Sequence, residues 1–305
     1  MENKNLEHKV CVLMSTYNGE RFIEEQLRSL RNQEGVDVQV LVRDDGSTDC
    51  TLDILNQWQQ TGFLTWYQGE NLKPARSFMN LIHQAPEVAY YAFCDQDDVW
   101  FGDKLHSAVQ ALAGHEATPA LYYGQTQLVD VLLQPLPTPK LSPADTLQQA
   151  IVNHTATGGT VVFNHKLKVL LQDYNPQYIS MHDSWAHLVC LAVGGYVHFD
   201  STPHMYYRQH DHNVLGMHQS FMEEWRKRYS RNFVGKERER SKTVHELLCG
   251  YRHLVRKEDL ALLEDADGYL RDWRKRWRLL FSFKVQPLSL KHNFLFRLSV
   301  LLGRF

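Results

Sequence analysis

Between residues 10 and 112, short apolar runs alternate with stretches whose apolar residues recur every three or four positions. That alternation admits few folds. The first run, Val10, Cys11, Val12, Leu13 and Met14, has no polar position, as a strand buried on both faces requires. Residues 21–31 follow, with Phe22, Ile23, Leu27 and Leu30 at helical spacing. Strand-like segments at 36–42, 63–67 and 88–94 then alternate with helix-like ones at 52–58, 74–83 and 104–112. The second of these helices opens on Pro74, which suits a first turn. Strands and helices in this rhythm predict an α/β fold, a mostly parallel sheet flanked by helices. Past Pro119 the rhythm loosens. Strand-like pieces at 121–123, 160–163, 196–199 and 204–208 surround a proline-rich loop (Pro135, Pro137, Pro139, Pro143) and one helix-like stretch at 182–193. From about residue 217 the chain turns helical and basic.

Charge is distributed unevenly. The 305 residues carry 33 basic and 35 acidic side chains, of which 20 and 11 fall in 221–305. An acidic body with a basic tail excludes a uniformly charged binder and directs the tail towards an anionic partner. The cysteines, Cys11, Cys50, Cys94, Cys190 and Cys249, are odd in number and form no C-x-x-C pair. Neither a disulfide framework nor a zinc knuckle is expected, and a reducing compartment fits. The polar start leads into an apolar run too short for a signal-peptide core, and no stretch approaches the roughly 20 apolar residues of a spanning helix. A cytoplasmic protein, meeting membranes only at their surface, is expected.

Within the tail, residues 267–283 are the informative part. On a helical wheel, Tyr269, Leu270, Trp273, Trp277, Leu280 and Phe281 fall in one sector, and Arg271, Arg274, Lys275 and Arg278 opposite. Such a helix either lies on an anionic membrane surface or packs its apolar side on the rest of the protein. No RNA-binding motif accompanies the charge, so no nucleic-acid partner is expected.

In an open parallel sheet, ligands bind at the carboxyl ends of the strands. Here those ends are acidic. The first strand runs into Ser15-Thr16-Tyr17-Asn18-Gly19 and the second into Asp44-Asp45-Gly46-Ser47-Thr48-Asp49. Gly46 to Asp49 read as a turn and helix cap, whereas Asp44 and Asp45 stand where a carboxylate accepts hydrogen bonds from a base or a ribose. The fourth strand runs into Asp95-Gln96-Asp97-Asp98. Three carboxylates in four residues repel one another unless a cation or hydrogen-bond donors are present, and oxygen ligands suit Mg²⁺ or Mn²⁺ shared with phosphates. Ser180-Met181-His182-Asp183 has the spacing of a capping box, in which Asp183 only closes a helix start. Arg208 has the forked donors to grip a diphosphate, or to make a structural salt bridge. Gly158-Gly159 allows close approach of an acceptor sugar, or a tight turn between strands. Trp100 and Trp185 suit stacking on a sugar or filling a core.

Together these phrases, with Asp95-Gln96-Asp97-Asp98-Val99-Trp100, His182-Asp183-Ser184-Trp185 and Arg208-Gln209-His210-Asp211-His212-Asn213, resemble the family-2 inverting glycosyltransferases of GT-A fold. Within that family they look most like bacterial rhamnosyltransferases that use dTDP-L-rhamnose. The resemblance implies a catalytic domain over residues 1–216, followed by a basic helical region over 217–305 that serves as a membrane-surface or oligomerisation element. It implies that Ser15, Thr16, Tyr17, Asn18, Asp44, Asp45, Arg76, Asp95, Gln96 and Arg208 hold the nucleotide sugar. Asp97 and His210 would bind Mn²⁺ or Mg²⁺, with His212 the residue most easily mistaken for His210. Asp183 would be the catalytic base, and Gly159, Trp100, His182 and Trp185 would meet the acceptor. The implied partners are a dTDP- or UDP-linked donor, an oligosaccharide or lipid-linked acceptor, an anionic membrane and a second copy of the chain. One departure stands out. Where the family commonly has Leu-Gly-Pro-Ala, this chain has Leu72-Lys73-Pro74-Ala75, a lysine in place of a flexible glycine. The competing expectation is a catalytically inactive glycosyltransferase-like subunit that positions a partner at the membrane.

Overall fold

The computed structural model describes residues 8–210, 238–282, 285 and 290–305, and of 291 and 292 the backbone only. Its centre is β1 (Lys9–Thr16), flanked by β2 (Asp37–Asp44) and β4 (Tyr90–Cys94), with β3 (Leu64–Gln68) outside β2. All four run parallel. Beyond β4 lie β8 (Val162–Asn164), β6 (Ala120–Gly124) and β9 (Tyr196–Asp200), completing a seven-stranded sheet in which β8 alone is antiparallel to its neighbours. A second, three-stranded sheet joins β5 (Val99–Trp100), β10 (Met205–Arg208) and β7 (Gln127–Val129).

The helices cover both faces, and β1 shows why. Val10, Val12 and Met14 are buried in one core with Ile23, Leu27 and Leu30 of α1 (Ile23–Arg31), Leu55 of α2 (Thr51–Gln60) and Leu105 of α4 (Lys104–Leu112). Cys11 and Leu13 are buried in the other, with Phe78 and Leu81 of α3 (Lys73–Gln84), Leu147 of α5 (Leu147–Ala150), Leu167 of α6 (His165–Asp173) and Trp185 of α7 (His182–Ala192). A strand with two buried faces has no use for polar positions, hence its uninterrupted apolar run. Two- and three-residue strands such as β5 and β7 carry no readable periodicity, and the sequence pattern missed them, together with α5 and α6.

The tail helices continue the second core. Val244, Leu247 and Tyr251 of α8 (Glu239–Tyr251), Leu262 and Leu263 of α9 (Lys257–Gly268), Leu279 of α10 (Trp273–Leu280) and Phe296 of α11 (Leu290–Leu301) all belong to it. Glu246 fixes the contact: its carboxylate accepts from Tyr174 Oη at 2.7 Å and from the Gln177 N–H at 2.9 Å. The domain boundary expected at 216 lies outside the described residues.

The single amphipathic helix expected over 267–283 is instead interrupted. Helix α9 ends at Gly268, and Asp272 caps a new helix by accepting the Arg274 N–H at 2.8 Å. The restart changes the phase. Tyr269, Leu279 and Leu280 turn inwards, whereas Trp273, Trp277 and Phe281 stay exposed, at 68%, 50% and 60%. No helix among the described residues is long and apolar enough to cross a membrane.

Lys73 opens α3 with φ at +65°. That left-handed conformation costs a residue with a Cβ about 1–2 kcal/mol, and glycine almost nothing. Replacing Lys73 by glycine should therefore stabilise the fold by about 1 kcal/mol, or roughly 2 °C in Tm in a heat scan. An unchanged or lowered Tm would show that the lysine side chain recovers the cost of its backbone.

Candidate active site

The parallel register sets the ends of β1, β2 and β4 side by side, Thr16 opposite Asp44 and Met14 opposite Cys94. Their three exit loops are stitched together. Gln96 clasps the Tyr17 peptide from both sides, its Oε1 accepting the N–H at 2.9 Å and its Nε2 donating to the C=O at 3.0 Å. Asn18 takes a left-handed φ of +48°, its N–H donating to Ser47 Oγ and its Oδ1 accepting the Thr48 N–H, both at 2.8 Å. A Cβ on Gly19 would stand 2.3 Å from Gln96 Oε1 and displace the clasping amide. The clasp leaves the Tyr17 ring about half exposed at the mouth of the loops. Ser15 Oγ lies 2.7 Å from Ser77 Oγ, and Thr16 Oγ1 donates to Asp44 at 3.0 Å, so both hydroxyls serve the loop junction.

Several residues expected to touch ligand turn out to hold the loops. Asp44 is fully buried: Oδ1 accepts the Gly46 and Ser47 N–H groups at 2.9 and 2.8 Å, and Oδ2 accepts the Thr16 and Ser47 hydroxyls. Four donors fill a carboxylate's acceptor sites, and none remains for a nucleotide. Asp45 is likewise buried, bonded to Ser77 Oγ and the Leu72 N–H and paired with Arg43. Arg208 makes the structural pairing rather than the diphosphate one. Its buried guanidinium donates to the Asp97 and Val131 carbonyls, pairs with Glu25 and lies 4.7 Å over the Phe22 ring. Arg76 bridges to the loop before α7, donating to the Gln177 carbonyl at 2.5 Å.

The acceptor expectations need the same correction. Trp100 is buried beneath Lys104, whose ammonium stands 3.4 Å from the ring centroid, and Trp185 is buried in the second core. His182 is stacked on Phe78 at 3.8 Å, and burial pushes its imidazole down to about 4, so it is neutral. Gly159 lies in a 3₁₀ turn, Gly158–Thr160, not between two strands. Its missing side chain makes room for Asp98 and Met205; Gly158 is the one that faces Asp183, a Cβ there standing 3.5 Å from Asp183 Oδ2.

What remains is a set of mutually repelling carboxylates. Burial, then the Asp97 and Asp183 carboxylates, push the Asp95 carboxyl up to about 7. Asp97 Oδ2 meets His210 Nε2 at 2.7 Å, and the His210 ring stacks on Phe22 at 5.0 Å. Asp183 is the second residue of α7 and caps nothing: the N-cap is Met181, without a side-chain bond, and the capping-box alternative falls. Its Oδ1 accepts the Ser184 N–H at 2.6 Å and faces His154 Nε2 at 3.4 Å. Oδ2 has no hydrogen-bond partner among the described residues. Burial alone would raise this carboxyl, but His154 and the Ser184 N–H outweigh it and hold it below the usual carboxylate range. His154 carried no sequence signal, since a lone histidine in an irregular stretch is silent until the fold brings it to Asp183.

A family model described as "Glycosyl transferase family 2" matches residues 11–167. The dTDP-rhamnosyl transferase RfbG of Shigella flexneri is 29% identical over 237 residues, 70% of this chain and 77% of that one. A Campylobacter jejuni GalNAc(5)-diNAcBac-PP-undecaprenol beta-1,3-glucosyltransferase is 27% identical over 105 residues, 33% of this chain and 34% of its own length. In fold, the chain is similar to Staphylococcus aureus TarS in complex with UDP-GlcNAc, with a TM-score of 0.56 at 18% identity over 97% of this chain and 93% of that one. It is also similar to the mannosyltransferase PcManGT of Pyrobaculum calidifontis in complex with GDP-Man and Mn²⁺, with a TM-score of 0.53 at 19% identity over 97% and 80%.

Proposed function

The chain belongs to glycosyl transferase family 2, and on that premise we propose an inverting transferase that moves L-rhamnose from dTDP-L-rhamnose to a saccharide or lipid-linked acceptor in bacterial surface-polysaccharide synthesis. The observation that carries the proposal is the open Oδ2 of a buried, ionised Asp183 beside Asp95 and Asp97. The rhamnose donor is supported by the likeness to RfbG, with UDP-sugars as the competing donors.

Asp183 Oδ2 takes the proton of the acceptor hydroxyl as that oxygen bonds to the anomeric carbon. The bond from that carbon to the diphosphate oxygen breaks, and its electron pair leaves with the diphosphate. Attack opposite the leaving group inverts the anomeric centre. General-base help of this kind is worth about 10²–10⁴-fold and needs the carboxylate ionised, as its hydrogen bonds favour. Tyr17, half exposed and held by Gln96, is the surface on which a nucleobase would stack. Lys73, at the first turn of α3, is the cation offered to the diphosphate.

The residues present fit a divalent ion. Asp97 Oδ2 and His210 Nε2, 2.7 Å apart, pair a hard oxygen with an imidazole nitrogen, a mixed set that suits Mn²⁺ better than Mg²⁺. Among the described residues no group of three or more such side chains is gathered to hold an ion. When bound, the ion neutralises charge on the departing diphosphate, in place of the protonated acid of a glycosidase.

A radiolabelled dTDP-rhamnose transfer assay tests the proposal. Asp183→Asn should lower kcat at least 100-fold and leave the Kd for dTDP nearly unchanged, and chelation should stop transfer until Mn²⁺ is restored. Full turnover by Asp183→Asn would remove the base.

The basic tail supports a place at the inner face of the plasma membrane. Trp273, Trp277 and Phe281 form one exposed stripe, and Leu290, Phe294 and Leu301 another on the adjoining helix. Arg276 joins the two helices by donating to the Val300 carbonyl at 3.1 Å, and exposed Arg271 and Arg274 flank the first stripe. Tryptophan beside arginine suits the interface of an anionic bilayer. The protein should co-float with phosphatidylglycerol vesicles, and Trp273→Ser with Trp277→Ser should reduce this at least tenfold without changing dTDP binding. Equal flotation of that variant, or a solution dimer that buries the tryptophans, would overturn the assignment.

A further inference from the structure

We propose that His154 is the positioning residue of this site, turning Asp183 so that Oδ2 alone is presented to the acceptor. The inference rests on Asp183 being the base and adds a residue that neither the motifs nor the family resemblance marks. Three contacts form a closed ring. The Ser184 N–H donates to Asp183 Oδ1 at 2.6 Å, His154 Nε2 stands 3.4 Å from the same oxygen, and Ser184 Oγ lies 2.9 Å from His154 Nδ1. A hydroxyl donating to Nδ1 selects the tautomer with its proton on Nε2, the nitrogen 3.4 Å from the carboxylate. Ser184 therefore acts on Asp183 twice, directly through its backbone and through the imidazole it orients.

The same loop deals with the other oxygen. Four residues after His154 lies Gly158, where a Cβ would stand 3.1 Å from His182 Nε2 and 3.5 Å from Asp183 Oδ2. One oxygen thus meets the Ser184 N–H and His154, and the other, without a hydrogen-bond partner among the described residues, is the one left for an acceptor hydroxyl. The titratable groups around the pair are His182 and His187 of α7 and Asp95 at the end of β4. Burial keeps both histidines neutral, pushing them down to about 4 and about 3. His154 is therefore the histidine whose hydrogen bond supports the Asp183 carboxylate, and with it the ionised form that catalysis uses.

Steady-state kinetics across pH on His154→Ala, His154→Gln and Ser184→Ala, each with a dTDP binding isotherm and a heat scan, provide the test. With its donor removed, the Asp183 carboxyl rises. His154→Ala should lose about tenfold in kcat with donor KM unchanged, and the acidic limb of its pH profile should move to higher pH. His154→Gln retains an N–H donor and should recover most of kcat, while Ser184→Ala should fall between. An unmoved acidic limb in His154→Ala, or equal losses in the alanine and glutamine variants at unchanged Tm, would overturn the inference. Inactive Asp183→Asn beside a fully active His154→Ala would sink this inference alone; active Asp183→Asn would sink the base assignment beneath it.

Discussion

A strand with no exposed face and no free edge governs this molecule. β1 is paired on both sides by parallel neighbours, and its alternate residues enter two different cores. Because all three strands run in one direction, their carboxyl ends emerge together, and every loop leaving that edge must find hydrogen-bond partners away from bulk water. The polar chemistry of the protein is therefore concentrated at one rim. Its donors and acceptors are divided there between holding the loops and meeting a substrate.

That division explains why neighbouring carboxylates have different fates. Asp44 accepts from four donors, three in its own turn and the Thr16 hydroxyl, and has no acceptor site left. Asp45 is neutralised by Arg43, and Asp98 lies buried with the Arg208 N–H at 3.2 Å from one oxygen. Asp97 and Asp183 instead each repel the Asp95 carboxylate and raise it, a repulsion that a cation would relieve. A buried polar group must be satisfied, and the arrangement of satisfied ones singles out those kept for chemistry.

The tail is no appendage. Its helices extend the core that begins at Cys11 and Leu13, and Glu246 ties α8 to the loop leading into Asp183. Inward-facing Leu279, Leu280 and Phe296 hold α10 and α11 in place, which leaves the tryptophan stripe outside. One tail helix thus braces the loop leading into Asp183, while two others leave an aromatic surface exposed.

Periodicity alone determined the alternating strands and helices, the mostly parallel sheet and the acidity of its exit edge. Those properties depend on residues close in sequence, where burial on one or two faces imprints a pattern of period two or three to four. The grouping of Asp183 with Asp95 and Asp97, and of Asp97 with His210, was expected only through family likeness, because no local pattern links residues over 80 positions apart. Asp44, Asp45, Arg76, Arg208, Trp100, Trp185 and His182 drew attention by residue type, yet type does not reveal which partner a side chain will meet. His154 was invisible for the same reason. Only the tertiary structure decided which charges are internally satisfied and which oxygen of Asp183 stays open, since hydrogen bonds and burial are set by neighbours that folding brings together.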